Sequence, residues 1–170
     1  MARVRRVYYD RAVYHIFNRG NNRIKVFQED DDKIIFLEVL GRYQSRLEFK
    51  IYGIVLMNNH YHMMVETSEK HDISKVMHAM TLAFGRRYHK RHQYVGHLWQ
   101  SRFKSRIIET EAYGQECLDY IHQNPVKAGI VEKVQDYEWS SVLKYEGQIG
   151  LTIEKYIKVD CFGDSYAINA

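Results

Sequence analysis

Proline is nearly missing from this chain: Pro125 stands alone among 170 residues, so no proline-rich linker divides it. Cysteine is as scarce. Cys117 and Cys161 lie far apart, form no C-x-x-C pair and are too few for a disulfide framework, so both are read as reduced thiols of a cytoplasmic protein. No apolar run approaches the length of a membrane span, and the opening Met1-Ala2-Arg3-Val4-Arg5-Arg6 lacks the apolar centre of a signal peptide. A membrane partner is therefore not expected. Repeats and low-complexity stretches are absent too.

What is present is globular material rich in tyrosine. A hydrophobic content of 45% with 27% charged residues suits one domain with a real core. The net charge of +4 and isoelectric point near 8.9 suit a polyanionic partner. Fourteen tyrosines add side chains that stack on bases and donate to phosphates. Arg3, Arg5 and Arg6 ahead of Tyr8 and Tyr9 suggest a basic arm over 1–12, followed by a domain over 13–147 and a tail over 148–170.

Val13-Tyr14-His15-Ile16-Phe17 reads as a first strand, broken by the turn formers Asn18-Arg19-Gly20-Asn21-Asn22-Arg23. A helix over 29–47 opens on Glu29, Asp30, Asp31 and Asp32, where the helix dipole favours negative charge. A β-hairpin over 49–65 follows, with Asn58-Asn59 tolerating the positive φ of a tight turn. Asp72 caps a second helix to about residue 91, ending in Arg86, Arg87, His89, Lys90, Arg91 and His92. A fourth strand over 104–109 precedes a third helix, capped by Thr110 and ending near Gln123, just before Pro125. The order β-α-β-β-α-β plus a helix predicts an α+β protein. Its fold would be ferredoxin-like, a split βαβ, RRM-like antiparallel sheet with helices on one face and an extra C-terminal helix. The open sheet face would be a platform for single-stranded nucleic acid.

The chemistry centres on Met57-Asn58-Asn59-His60-Tyr61-His62. Strand alternation sends His60 and His62 to one face, where two imidazoles can chelate one metal ion, while Tyr61, Met63 and Val65 point into the core. Nine histidines make a chance H-x-H common, so the pair alone decides nothing. In the third helix Tyr120 and Asn124 share a face, with Glu116 one turn back. Cys117, Leu118 and Ile121 form the adjoining apolar stripe.

From Val13 to Tyr145 the chain resembles the single-tyrosine transposases of the HUH superfamily, especially the REP-associated tyrosine transposases. His15-Ile16-Phe17-Asn18-Arg19-Gly20-Asn21-Asn22 is similar to the family's first strand and arginine-glycine turn, and His60-Tyr61-His62 to its His-hydrophobic-His signature. Leu98-Trp99-Gln100-Ser101-Arg102-Phe103 resembles a further block, as does Asp119-Tyr120-Ile121-His122-Gln123-Asn124-Pro125 and the segment that follows it, and Asp136-Tyr137-Glu138-Trp139-Ser140-Ser141 also fits. Asn58 departs from a pattern that often has proline there, and Tyr61 is larger and more polar than the usual aliphatic.

The resemblance implies that His60 and His62 are metal ligands, Asn124 the third ligand and Tyr120 the nucleophile. It implies Mg²⁺ or Mn²⁺ as cofactor; imidazole donors by themselves favour Mn²⁺ slightly. Tyr120 would attack a phosphate of single-stranded DNA, leaving a covalent 5′-phosphotyrosine and a free 3′-hydroxyl. Phenols ordinarily ionise at about pH 10, so the attack needs help at neutral pH. Glu116 is a candidate for proton handling near the metal, and Lys127 for a phosphate contact. DNA hairpins with a flanking single strand are the implied partner, held by Arg19, Arg23, Arg86, Arg87, Arg102, Lys104 and Arg106. Some relatives are homodimers that exchange the tyrosine helix and others are monomers, so both states stay open. Two rivals also stay open: a non-catalytic RRM-like nucleic-acid-binding domain, and a zinc hydrolase using His60, His62 and Cys117.

Overall fold

In the computed structural model, residues 11–147 and 152–163 are described. The expected basic arm lies almost wholly outside them. Four strands form one sheet: β1 (Val13–Arg19), β2 (Lys50–Leu56), β3 (His60–Glu66) and β4 (Lys104–Ile108), in the order β2-β3-β1-β4. Every neighbouring pair is antiparallel, and β3 is inserted between β1 and β2, as a split βαβ requires. The long helices are α1 (Asp30–Leu47), α2 (Ile73–His92) and α3 (Glu111–Lys127), with a short α4 (Val142–Tyr145). No described helix is long and apolar enough to cross a membrane.

Strand alternation sorts the side chains as anticipated. Tyr61, Met63 and Val65 are buried on the face that carries α1 and α2, where the Tyr61 ring packs 5.0 Å from Phe36 and Phe36 packs 5.2 Å from Phe84. The two helices are tied end to end. Asp32, buried in the first turn of α1, accepts from the backbone N–H groups of Gln28 and Glu29 and lies 2.6 Å from the His92 ring at the end of α2. Arg91 pairs there with Glu29 and Asp31, and Arg87 pairs with Glu38. Much of the basic run at the end of α2 is therefore committed to α1.

Three expectations are corrected. The second face of the sheet is not open, because α3 lies across its β2–β3 half. Gly53 in β2 makes this approach, with Leu118 Cδ2 only 2.5 Å from where a β-carbon would stand. Nor does α3 stop at Gln123; it continues to Lys127 with Pro125 inside it. The lost N–H at Pro125 is confined to the last turn, where Ala128 and Ile130 donate to the Asn124 and Pro125 carbonyls. Neither Asn58 nor Asn59 takes a positive φ. Their carbonyls instead accept from Phe27 and Gly20, so the tip of the hairpin is held by the loop after β1.

The segment after residue 147 is more than a tail where it is described. Ile153, Ile157 and Val159 are buried in the core. Asp160 donates its N–H to the Ile51 carbonyl, and Val159 bridges Ile51 in parallel, which caps the outer edge of β2. Residues 139–141 cap the rest of that edge through Leu56 and Ile54. Phe162 then reaches the other face and occupies the space beside Gly114 of α3. This strap holds α1, the sheet edge and α3 together.

Candidate active site

The register of β1 between β3 and β4 assembles one polar face. Arg19 stands opposite His60, Phe17 opposite His62 and Lys104, and His15 opposite Arg106. Because alternate residues share a face, His15, Phe17, Arg19, His60, His62, Lys104 and Arg106 all emerge on the side that carries α3. α3 covers only part of that side. Its buried stripe of Cys117, Leu118 and Ile121 rests on the sheet, which leaves Tyr120 at the rim, 42% exposed.

Tyr120 comes to rest with its ring 5.3 Å from His62 and 5.8 Å from His15. A cleft of about 310 Å³ opens there, lined by His60, His62, Tyr120, Asn124, Arg19 and Lys104 among others. The Lys127 ammonium lies 5.1 Å above the Tyr120 ring, a cation–π contact that also puts positive charge beside the phenol. The Tyr120 side chain lines this cleft, and its hydroxyl has no hydrogen-bond partner among the described residues.

The two imidazoles are set up as neutral donors. The His60 and His62 rings are 5.3 Å apart and nearly perpendicular. Burial, then the Arg19 charge, lowers His60 to about 4. Burial lowers His62 to about 3, with further contributions from His15, His60 and Arg19. Lone pairs are thus free at neutral pH. Nδ1 of His60 lies 2.6 Å from the Asn59 amide oxygen, which only accepts, so the proton sits on Nδ1 and the Nε2 lone pair is left. Asn124 donates its Nδ2 to the Tyr120 carbonyl at 2.7 Å, which leaves Oδ1 as its free atom. Two imidazole nitrogens and one amide oxygen therefore fit a divalent cation such as Mn²⁺ or Mg²⁺.

The other expected residues divide. Arg19 and Lys104 line the cleft, and Arg102, Lys104 and Arg106 line an adjoining groove of about 500 Å³. Arg23 sits at positive φ in the turn after β1, where its carbonyl accepts from Asn59. Arg86 and Arg87 are elsewhere: α2 packs on the opposite face of the sheet, and Arg87 is paired with Glu38. Glu116 is exposed one turn before Tyr120 without a polar partner among the described residues. The zinc alternative loses its ligand set. Cys117 is buried under α3 with its thiol pushed up to about 12, and no three His, Cys, Asp or Glu among the described residues could hold a metal.

His15 and Asn59, each hydrogen-bonded to one histidine of the pair, were not picked out from sequence. The alternation of His15, Phe17 and Arg19 was the available signal. The pairing of His15 with His62 is a matter of register that one strand's sequence does not carry.

Comparison with known proteins gives the family. A protein named a REP-associated tyrosine transposase, from Haemophilus influenzae, is 29% identical over 107 residues, covering 55% of this chain and 58% of that protein. The chain thus spans little more than half the length of this curated relative. A solved structure of a REP-associated tyrosine transposase bound to a REP hairpin matches over 100% of both chains with a TM-score of 0.74 at 21% identity, a likeness of fold. The model of a family described as "Transposase IS200 like" matches residues 8–124, well over half the chain and reaching Asn124 itself. On that match, the chain belongs to the IS200-like transposase family.

Proposed function

We propose that this protein cuts and rejoins single-stranded DNA by transesterification, with Tyr120 as nucleophile. One observation carries the reading: a single chain brings Tyr120, His60, His62 and Asn124 to one cleft, the tyrosine ring 5.3 Å from His62. Tyr120 Oη forms the bond to phosphorus, the bond from phosphorus to the 3′-oxygen breaks, and the phenol proton is lost as the leaving oxygen gains one. The products are a 5′-phosphotyrosine and a free 3′-hydroxyl. Attack by a second strand's 3′-hydroxyl on the phosphotyrosine reverses the step, so no external energy source is required.

A Mn²⁺ or Mg²⁺ ion, held by His60, His62 and Asn124, supplies Lewis-acid polarisation of the phosphate when bound. Arg19 and Lys104 place positive charge along the cleft to hold the phosphate backbone, and Arg102 and Arg106 extend it past β4. The half-buried Phe17 ring between them offers an edge for base stacking. A DNA hairpin with a single-stranded flank is the substrate this reading favours; the similar solved structure is bound to a REP hairpin.

The test is a denaturing gel of labelled oligonucleotides taken from DNA flanking the gene, incubated with Mn²⁺. A covalent protein–DNA band is expected, lost with chelator, with Tyr120→Phe and with His60→Ala. Binding across that set without any adduct would turn the reading toward a non-catalytic binding domain. Nicking that survives Tyr120→Phe would turn it toward a hydrolase.

A further inference from the structure

We infer that His15 is a positioning residue for His62: its ring holds the proton of His62 on Nδ1, so that Nε2 is the nitrogen offered to a divalent cation. The inference rests on the reading of His62 as a ligand. It starts from one contact. Nε2 of His15 lies 2.9 Å from Nδ1 of His62, within a pair of buried rings 5.2 Å apart and inclined by 25°.

Two neutral imidazoles can share such a bond in only two ways. If His15 donates, its Nε2 carries the proton, His62 accepts at Nδ1, and the His62 proton is forced onto Nε2. That form has no lone pair facing the cleft and cannot bind a cation there. If His62 donates from Nδ1, His15 must accept at Nε2 and keep its own proton on Nδ1. Nε2 of His62 is then free. The cation-competent site therefore requires His15 as acceptor, which is a requirement on a residue outside the His-x-His pair.

The second histidine is treated the same way. His60 has its Nδ1 bound by the Asn59 amide oxygen, and Asn59 donates its own Nδ2 to the Arg23 carbonyl, which fixes which amide atom faces the ring. Both imidazoles thus have Nδ1 occupied and Nε2 spare, one through a side chain on the hairpin tip and the other through β1. Phe17 adds a mechanical component: its ring stacks on His62 at 5.4 Å and packs tilted against His15 at 5.2 Å, which restricts the rotation of both. Partners of this kind orient metal-bound histidines and raise their basicity, and their loss typically weakens metal binding by roughly 10- to 100-fold.

The experiment uses the full chain and two variants, His15→Leu and His15→Gln, the second keeping an amide oxygen that can accept from His62. Mn²⁺ affinity is measured by electron paramagnetic resonance. Long-range ¹H–¹⁵N spectra of the metal-free protein report the His62 tautomer. Expected are an Nδ1–H tautomer in the parent, a drop in affinity of roughly 10- to 100-fold in His15→Leu with mixing of the Nε2–H form, and recovery of most of it in His15→Gln. A parent His62 in the Nε2–H form, or His15→Leu binding Mn²⁺ as tightly as the parent, overturns the inference. The tautomer of the parent decides the matter even if His15→Leu does not fold. A parent that binds no Mn²⁺ but shows the Nδ1–H tautomer overturns the metal reading instead and supports the His15–His62 orientation.

Discussion

Replacing Gly41 of α1 by alanine pits two opposed effects against each other. In an isolated helix the change is favourable by about 1 kcal/mol. In this fold, a β-carbon at Gly41 would stand 1.9 Å from the carbonyl oxygen of Tyr156, in the strap over 152–163, where ordinary contact begins at 3.4 Å. The obstacle is backbone, so rotating a side chain cannot relieve it. The strap must back away by about 1.5 Å, the difference between those distances. That displacement breaks the paired hydrogen bonds by which Gln44 donates to the Lys158 carbonyl and accepts from the Lys158 N–H, at 2.7 and 2.9 Å. Two such bonds contribute about 2 kcal/mol together, and overpacking costs about 1–3 kcal/mol. After the helix gain is subtracted, Gly41→Ala is expected to destabilise the protein by about 2–4 kcal/mol. Urea unfolding of parent and variant measures this as a lowered midpoint at unchanged slope. A variant as stable as the parent, or more stable, refutes the docking of the strap on α1. With it falls the argument that the strap braces α3 through Phe162.

Further outcomes follow from the same geometry. Tyr120→Phe should change stability by no more than about 0.5 kcal/mol, because the hydroxyl is exposed and unbonded, so its loss of covalent adduct cannot be ascribed to unfolding. Tyr61→Phe should stabilise by about 1 kcal/mol, since the Tyr61 hydroxyl is fully buried with no hydrogen-bond partner among the described residues; a destabilised variant would mean the hydroxyl is satisfied. Burial holds His15 and His60 at about 4 and His62 and His122 at about 3, so below pH 6.5 the unfolded chain binds protons that the folded chain does not. Their burial therefore costs nothing above that pH, and stability falls as the pH drops toward 4, by about 1.4 kcal/mol per unit for each group; equal urea midpoints at pH 7 and pH 5 would contradict this. For DNA binding, Lys104→Ala and Arg106→Ala should each lower the slope of log affinity against log salt by about one unit, while Arg87→Ala, already paired with Glu38, leaves it unchanged.

The sequence by itself determined the secondary elements and the chemical cast. Alternation in the second hairpin strand put His60 and His62 on one face and Tyr61, Met63 and Val65 in the core, because pleating dictates facing whatever the strand's neighbours are. Helical spacing put Tyr120 and Asn124 together for the same local reason. Periodicity is a property of one element, and one element's sequence carries it whole.

Tertiary structure decided everything that depends on which elements meet. Gly53 has no side chain to announce that α3 will lie on it, and Pro125 read locally as a terminator although the last turn of a helix tolerates it. His15 looked like one more strand histidine until the register of β1 against β3 brought its Nε2 to His62. Arg87 read as DNA-facing charge, yet the packing of α2 on α1 pairs it with Glu38. In each case the deciding partner is far away in the chain, and only the arrangement of packed elements brings it within a few ångströms.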